Sequence, residues 1–335
     1  MSMTSWMSSW RDVWRDSTDL AGQGLHALTG SHTPLHAPAQ PCLNGLSVDV
    51  EEAFHASAFE TEQPPECWPG LEQRADRYTR QLLALFAQHN VRATFFVLGW
   101  VAERQPALIR AIAQAGHEVA CHGYAHRRVY LQSPEVFRDD IRRSRAILQD
   151  LSGQEVLGYR APTYSITRAS LWALDALIDA GFRYDSSIFP VRHDRYGIPS
   201  APRFPYRLMR AGGSLVEIPP TSLRLAGQNL PVAGGGYLRL YPLAVTDLAL
   251  SILNRVEHQP AFVYVHPWEV DAEQPRLTPK ALKWWRHSVS IRQVPAKLDR
   301  LLARHRFGPF REVVPLEGST KGTNDASLPD IWLES

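Results

Sequence analysis

The sequence predicts an α/β fold of about seven mostly parallel strands, built either as an open doubly wound sheet or as a (β/α) barrel. Three observations predict it. Short apolar runs alternate with amphipathic helical stretches from Leu43 onward, a pattern that joins parallel strands by right-handed crossovers. No GxGxxG follows the first strand and no GxxxxGK[ST] occurs anywhere, which removes the usual nucleotide fingerprints. The polar residues with chemical potential fall at the C-terminal ends of several different strands, as they do in a barrel active site.

The elements read in order as follows. Residues 46–50 (LSVDV) form a strand, and 72–89 form a helix with Tyr78, Leu82, Leu85, Phe86 and His89 on one face. Residues 92–99 (RATFFVLG) are a continuous apolar run, suited to a parallel strand covered on both sides. Residues 106–115 are a helix stopped by Gly116. Residues 117–123 (HEVACHG) are the next strand. Ser133-Pro134 supplies an N-cap and a first-turn proline for a helix to about Leu151. A strand at 156–162 follows, then a helix from Thr167 to Ala180 with Gly181 after it, and a strand at 182–189. Residues 215–221 and 261–269 are further strands, and 242–256 and 280–304 are helices. Residues 190–212 and 222–240 are rich in Pro, Gly and Arg and read as long loops over one mouth, with Gly234-Gly235-Gly236 as a hinge or turn. The main domain thus spans 42–310, elaborated at 190–240, and 311–335 reads as a polar, mostly disordered tail.

With 335 residues, 44% hydrophobic and 21% charged, the chain can bury a sizeable core. A net charge of +2 leaves no polyanion footprint, so nucleic acid is not expected as a partner. Three cysteines (Cys42, Cys67, Cys121) make neither a disulfide framework nor a CxxC site. No apolar run reaches the ~18 residues of a membrane span, and no basic-then-apolar leader is visible, so the cytoplasm is the expected compartment. Residues 1–41 read as a poorly ordered extension. Trp6, Trp10 and Trp14 recur every four residues there and could contact the inner membrane face peripherally, or pack on the domain.

The chemistry gathers at HEVACHGYAH (117–126). His122 and His126, four apart, lie about 5–6 Å apart at Cβ on one side of a helical turn or tight loop, and Gly123 lets the chain turn after the first. Two imidazoles so placed can converge on one divalent ion. The competing reading is two unrelated histidines at a strand end. The first strand ends Asp49-Val50-Glu51-Glu52; Asp49 and Glu51 point the same way, Glu52 elsewhere. One carboxylate with the two histidines makes a facial ligand set, and the spare carboxylate can act as general base. Arg160 ends another strand and needs an acidic partner, for which Asp49 is available. Asp185 and His266 end two more; they form either a structural hydrogen bond or a carboxylate-oriented general acid.

The ordered set DVEE, CHGYAH, RAPTY, YDSS and VYVHPWE resembles the NodB-type polysaccharide deacetylases, carbohydrate esterase family 4, over about residues 43–305. The segments at 234–239 (GGGYLR) and 266–276 (HPWE to QPR) resemble the subgroup tied to exosortase (PEP-CTERM) exopolysaccharide loci. The resemblance implies a distorted (β/α) barrel and metal-dependent N-deacetylation of an N-acetylhexosamine polysaccharide or its precursor. It implies Asp49 as general base, paired with Arg160, and a divalent ion, Zn²⁺ foremost with Co²⁺ or Ni²⁺ as alternatives, on Glu51, His122 and His126. Glu52 is the alternative ligand. Asp185 would tune His266, the general acid; Tyr164 and Trp268 would contact substrate. A glycoside hydrolase on a similar barrel, with Asp49 and Glu51 or Glu269 as its carboxylate pair, and a non-catalytic carbohydrate-binding relative are the alternatives.

Overall fold

The unbroken apolar runs pair in parallel because both of their faces are covered. The computed structural model describes residues 42–232, 234–316 and 328–333, so the Trp6/Trp10/Trp14 stripe and the extension it belongs to lie outside the described residues. The strands are β1 (Leu43–Val50), β2 (Thr94–Val97), β3 (Glu118–Cys121), β4 (Gly158–Tyr159), β5 (Tyr184–Asp185), β6 (Tyr206–Arg210), β7 (Gly213–Glu217), β8 (Ser222–Leu225), β9 (Gln228–Pro231), β10 (Phe262–Val265), β11 (Arg306–Gly308) and β12 (Asp330–Trp332). Seven of them, in the order β10-β1-β2-β3-β4-β5-β7, run parallel, as the alternation predicts. Helices connect them, as in Ala75–Gln88, Pro106–Gln114 and Pro134–Ser152. The last begins with Ser133 Oγ accepting from the Val136 N–H (3.3 Å) and stops at Gly153 in the left-handed region.

The run curls into a distorted barrel. Phe262 of β10 and Val216 of β7, its two terminal strands, share one buried cluster with Phe96, Ala120, Tyr184 and Ile218. Among the described residues no ladder joins β7 to β10; instead the Phe262 N–H donates to Thr221 Oγ1 (2.5 Å), just past β7. Gly158 is obligatory in β4, since a Cβ there would overlap the Tyr184 ring inside the barrel.

Several expectations are corrected. The tail is partly built in: Val314 and Leu316 join the interior cluster beside Phe310, the last residue of the expected domain, whose N–H donates to Thr94 Oγ1 (2.8 Å), and β12 adds a strand beside β6. The polar composition there hid a few apolar residues that complete the floor. The long loops are also more regular than expected. β6 runs antiparallel to β7, and β8 and β9 form a hairpin about Ala226-Gly227, both at positive φ (48° and 78°). The expected glycine hinge instead opens a short helix, Gly235–Leu240, pressed so closely on Tyr264 that a Cβ at Gly234 would overlap its ring. The expected 280–304 helix is two, Ala281–Ser288 and Val294–Arg304, broken where Ser290 takes φ 53°.

Candidate active site and metal-ligand cluster

β1 delivers Asp49 inside its last turn of pleat and Glu51 just past its end. Both carboxylates are buried. Asp49 Oδ1 accepts from Arg160 Nη1 at 2.5 Å; the same nitrogen reaches Ser47 Oγ (2.9 Å), and Nη2 reaches Ser186 Oγ (3.0 Å). The guanidinium lies 4.0 Å from the Phe96 ring centroid, across the barrel top. Arg160 therefore fixes one oxygen of Asp49 and leaves the other facing the mouth.

Glu51 meets the two histidines. Its Oε2 lies 2.9 Å from His126 Nε2 and 4.0 Å from His122 Nε2. One donor atom from each of Glu51, His122 and His126 falls within 4.8 Å of the others. His122 Nδ1 donates to the Arg160 carbonyl at 2.8 Å, which sets its tautomer and turns the Nε2 lone pair toward Glu51. Burial pulls the His122 imidazole down to about 4, so it is neutral and able to ligate. Burial alone would raise the Glu51 carboxyl; the His126, His266 and His122 rings reverse this and hold it below the usual carboxylate range. Gly123 (φ 75°) makes the turn between the two ligands, and Asp140 anchors it by accepting the Tyr124 N–H (2.9 Å). These two imidazoles and one carboxylate, whose buried Oε2 makes no hydrogen bond although His126 Nε2 lies 2.9 Å away, form a donor set that can hold a divalent ion.

Glu52, the alternative ligand, is turned away. Its carboxylate accepts the backbone N–H groups of Arg74 (2.9 and 3.0 Å) and Ala75 (2.9 Å), satisfying the free amides that start the Ala75–Gln88 helix.

β10 brings His266 to the same mouth. Its Nε2 is 3.9 Å from Asp49 Oδ2 and 3.8 Å from Glu51 Oε1. Its Nδ1 is held by Glu269 Oε2 (2.9 Å), which also accepts the His266 N–H (3.0 Å). This corrects the expectation for Asp185, which lies on β5 opposite Glu217 of β7 and takes Ser187 Oγ (2.5 Å). Burial pushes the Asp185 carboxyl up to about 6, against hydrogen bonds that lower it, and burial with the Asp185 charge beside it pushes Glu217 well above the usual carboxylate range. Ser187 Oγ in turn accepts the Ala161 N–H (2.8 Å), so Asp185 supports the Arg160 turn rather than His266. Burial lowers the His266 imidazole, but the Glu269 carboxylate, with Glu51 and Asp49 behind it, outweighs that and pushes it up to about 9.

Trp268 stacks on His266 (centroids 4.7 Å, 20°), and its indole N–H donates to Glu51 Oε1 (3.0 Å). Tyr164, at φ 52°, is buried against Tyr264 (5.3 Å) and faces the Arg160 guanidinium (5.6 Å). Sequence reasoning missed Ser187 and Asp140 as site residues, and missed Glu269 as the partner of His266. Only Glu269 left a signal: an acid three residues after His266, with Pro267 between, can reach back to the His266 N–H as in a capping box.

Comparison with known proteins agrees with this geometry. Residues 68–184 match the family model described as polysaccharide deacetylase, and residues 186–315 match one described as a domain of unknown function, DUF3473. A peptidoglycan deacetylase of Helicobacter pylori is 32% identical over 144 residues, 43% of this chain and 48% of that protein. A peptidoglycan-N-acetylglucosamine deacetylase of Bacillus cereus is 34% identical over 99 residues, 29% of this chain and 36% of that protein. The chain thus spans half or less of the length of these relatives. A solved Mycobacterium smegmatis structure, provisionally described as a polysaccharide deacetylase, shares the fold with TM-score 0.52 at 21% identity, covering 83% of this chain and 90% of that one.

Proposed function

We infer that this chain is a NodB-type polysaccharide deacetylase, the family supported by the matched model and the curated relatives, and that it hydrolyses the N-acetyl group of an N-acetylhexosamine glycan. The observation that carries the reading is the placement of Glu51, His122 and His126 opposite Asp49 and His266 at one barrel mouth. Glu51, His122 and His126 would hold a divalent ion, most simply Zn²⁺ from an N,N,O donor set, with Co²⁺ or Ni²⁺ as alternatives. What such an ion supplies when bound is Lewis-acid polarisation of the acyl carbonyl.

The chain's own residues account for the proton movements. Arg160 orients Asp49 so that its second oxygen can take the proton of the attacking water. His266 lies across the mouth with its Nε2 toward Asp49, placed to protonate the leaving amine. Glu269 holds its other nitrogen. Trp268 and Tyr164 supply apolar surface beside these groups, for the acetyl methyl and the sugar respectively. The glycoside-hydrolase alternative lacks a free second carboxylate: Glu51 sits on His126 and Glu269 on His266.

The same reading extends to exopolysaccharide biosynthesis, supported by the GGGYLR and HPWE–QPR segments and the DUF3473 match, and to work at the cytoplasmic face of the inner membrane, supported by the Trp6/Trp10/Trp14 stripe. Incubating the purified protein with N-acetylated oligosaccharides, with and without chelator, tests the activity. Acetate release that the chelator stops supports the reading; reducing ends without acetate would support a glycoside hydrolase.

A further inference from the structure

The segment matched to a domain of unknown function carries His266, Glu269 and Arg239. Glu269 is fully buried; its Oε2 is hydrogen-bonded, while its Oε1 has no hydrogen bond and only an ionic contact. Oε2 serves His266 twice, through Nδ1 and the backbone N–H. Oε1 faces Arg239 Nε at 3.2 Å. Arg239 is itself buried, its guanidinium 4.9 Å from the Trp268 ring centroid and its Nη1 donating to the His287 carbonyl. The short helix that bears it is tied down at both ends. At its start, Gly234 and Gly235 press on Tyr264, two residues before His266. At its end, Lys297 Nζ donates to the carbonyls of Leu238 (2.9 Å), Arg239 (3.1 Å) and Tyr241 (2.8 Å).

We propose that Arg239 is a positioning residue for the proton donor His266, acting by clamping the Glu269 carboxylate that orients the imidazole. The physical reason is that a buried carboxylate whose second oxygen loses its cation is costly to keep in place. Glu269 would then rotate or take up water, and the ring it holds would lose its fixed orientation toward Asp49. The proposal rests on the reading of His266 as the proton donor. It also gives the segment of unknown function a part in the chemistry, since that segment holds the proton donor and the clamp on it, while the first and third strand ends hold the base and the ligands.

The test compares an amide with an ester whose leaving group needs no proton. Turnover of an N-acetylated chitooligosaccharide and of 4-nitrophenyl acetate is measured for the metal-loaded wild type, His266→Ala, Arg239→Met and Arg239→Lys, with bound metal quantified in each. Arg239→Met is expected to lower kcat on the amide about 10- to 100-fold, less than the roughly 10²–10⁴-fold of a whole general acid. KM, metal content and the aryl acetate rate should stay within about threefold, and added guanidinium should restore part of the amide rate alone. If Arg239→Met does not fold, Arg239→Lys carries the same test with a smaller loss confined to the amide. Equal losses on both substrates, or no loss on either, with His266→Ala still selective for the amide, would overturn the proposal alone. A His266→Ala variant without that selectivity would overturn the reading of His266, and the proposal with it.

Discussion

Arg160 is bonded at both of its ends to groups of the site: its carbonyl accepts His122 Nδ1 at 2.8 Å, and its guanidinium holds Asp49 at 2.5 Å. One residue at the end of β4 thereby orients a candidate metal ligand from β3 and the proposed base from β1. The site is coupled through backbone and side chain of the same position, so its parts are expected to fail separately only when the substitution spares Arg160.

Glu51→Gln and Glu52→Gln should separate ligand from cap. Glu51→Gln weakens the only carboxylate in the ligand set, and elemental analysis should show most of the metal lost. Glu52→Gln should retain stoichiometric metal. Its expected effect is a stability loss of about 1 kcal/mol in chemical denaturation, since the charge that satisfies the Arg74 and Ala75 amides is removed. Metal loss in Glu52→Gln with full retention in Glu51→Gln would reverse the assignment.

The legibility of the site tracked how local each relationship is. Asp49 and Glu51 follow from strand alternation alone, and His122 with Gly123 and His126 from the geometry of one turn. The parallel seven-strand run was legible because unbroken apolar runs such as β2 suit only a doubly covered sheet. The partner of Asp185 is not legible in the sequence, because its pairing with Glu217 depends on which strand packs beside β5, a long-range fact. β12 was hidden for the same reason: Asp330–Trp332 is strand only because β6 offers it an edge. The break at Ser290 did leave a signal, Pro295 in the first turn of Val294–Arg304, since a proline inside a helical pattern marks a boundary.

Glu269→Gln and Asp185→Asn should therefore behave differently. Glu269→Gln removes the carboxylate on His266 Nδ1 and should slow amide hydrolysis about 10-fold or more while sparing aryl acetate. Asp185→Asn leaves His266 untouched and should show no preference between the two substrates. An amide-selective loss in Asp185→Asn, absent in Glu269→Gln, would restore Asp185 as the tuning residue.

Stability should fall in mild acid through His117. Its Nδ1 accepts the Ala93 N–H (3.0 Å), and burial, with Arg92 nearby, pulls its imidazole down to about 4 from the usual 6.5. Between those values the unfolded chain binds the proton and the folded chain does not, so stability is present above about 6.5 and is lost as pH falls toward 4. Going from pH 7 to pH 5 should cost about 2 kcal/mol through this group. In urea denaturation, His117→Asn should shrink the pH 7 to pH 5 difference by that order; an unchanged difference would show that His117 does not carry it.

The most direct measurement of the central claim is acetate release from an N-acetylated chitooligosaccharide by wild type and Asp49→Asn at equal metal content. Asp49→Asn keeps Glu51, His122 and His126 and removes only the proposed base. The account predicts acetate from the wild type and a rate at least about 10²-fold lower from the variant, with substrate still bound. No acetate from the metal-loaded wild type, or undiminished release by Asp49→Asn, would contradict it.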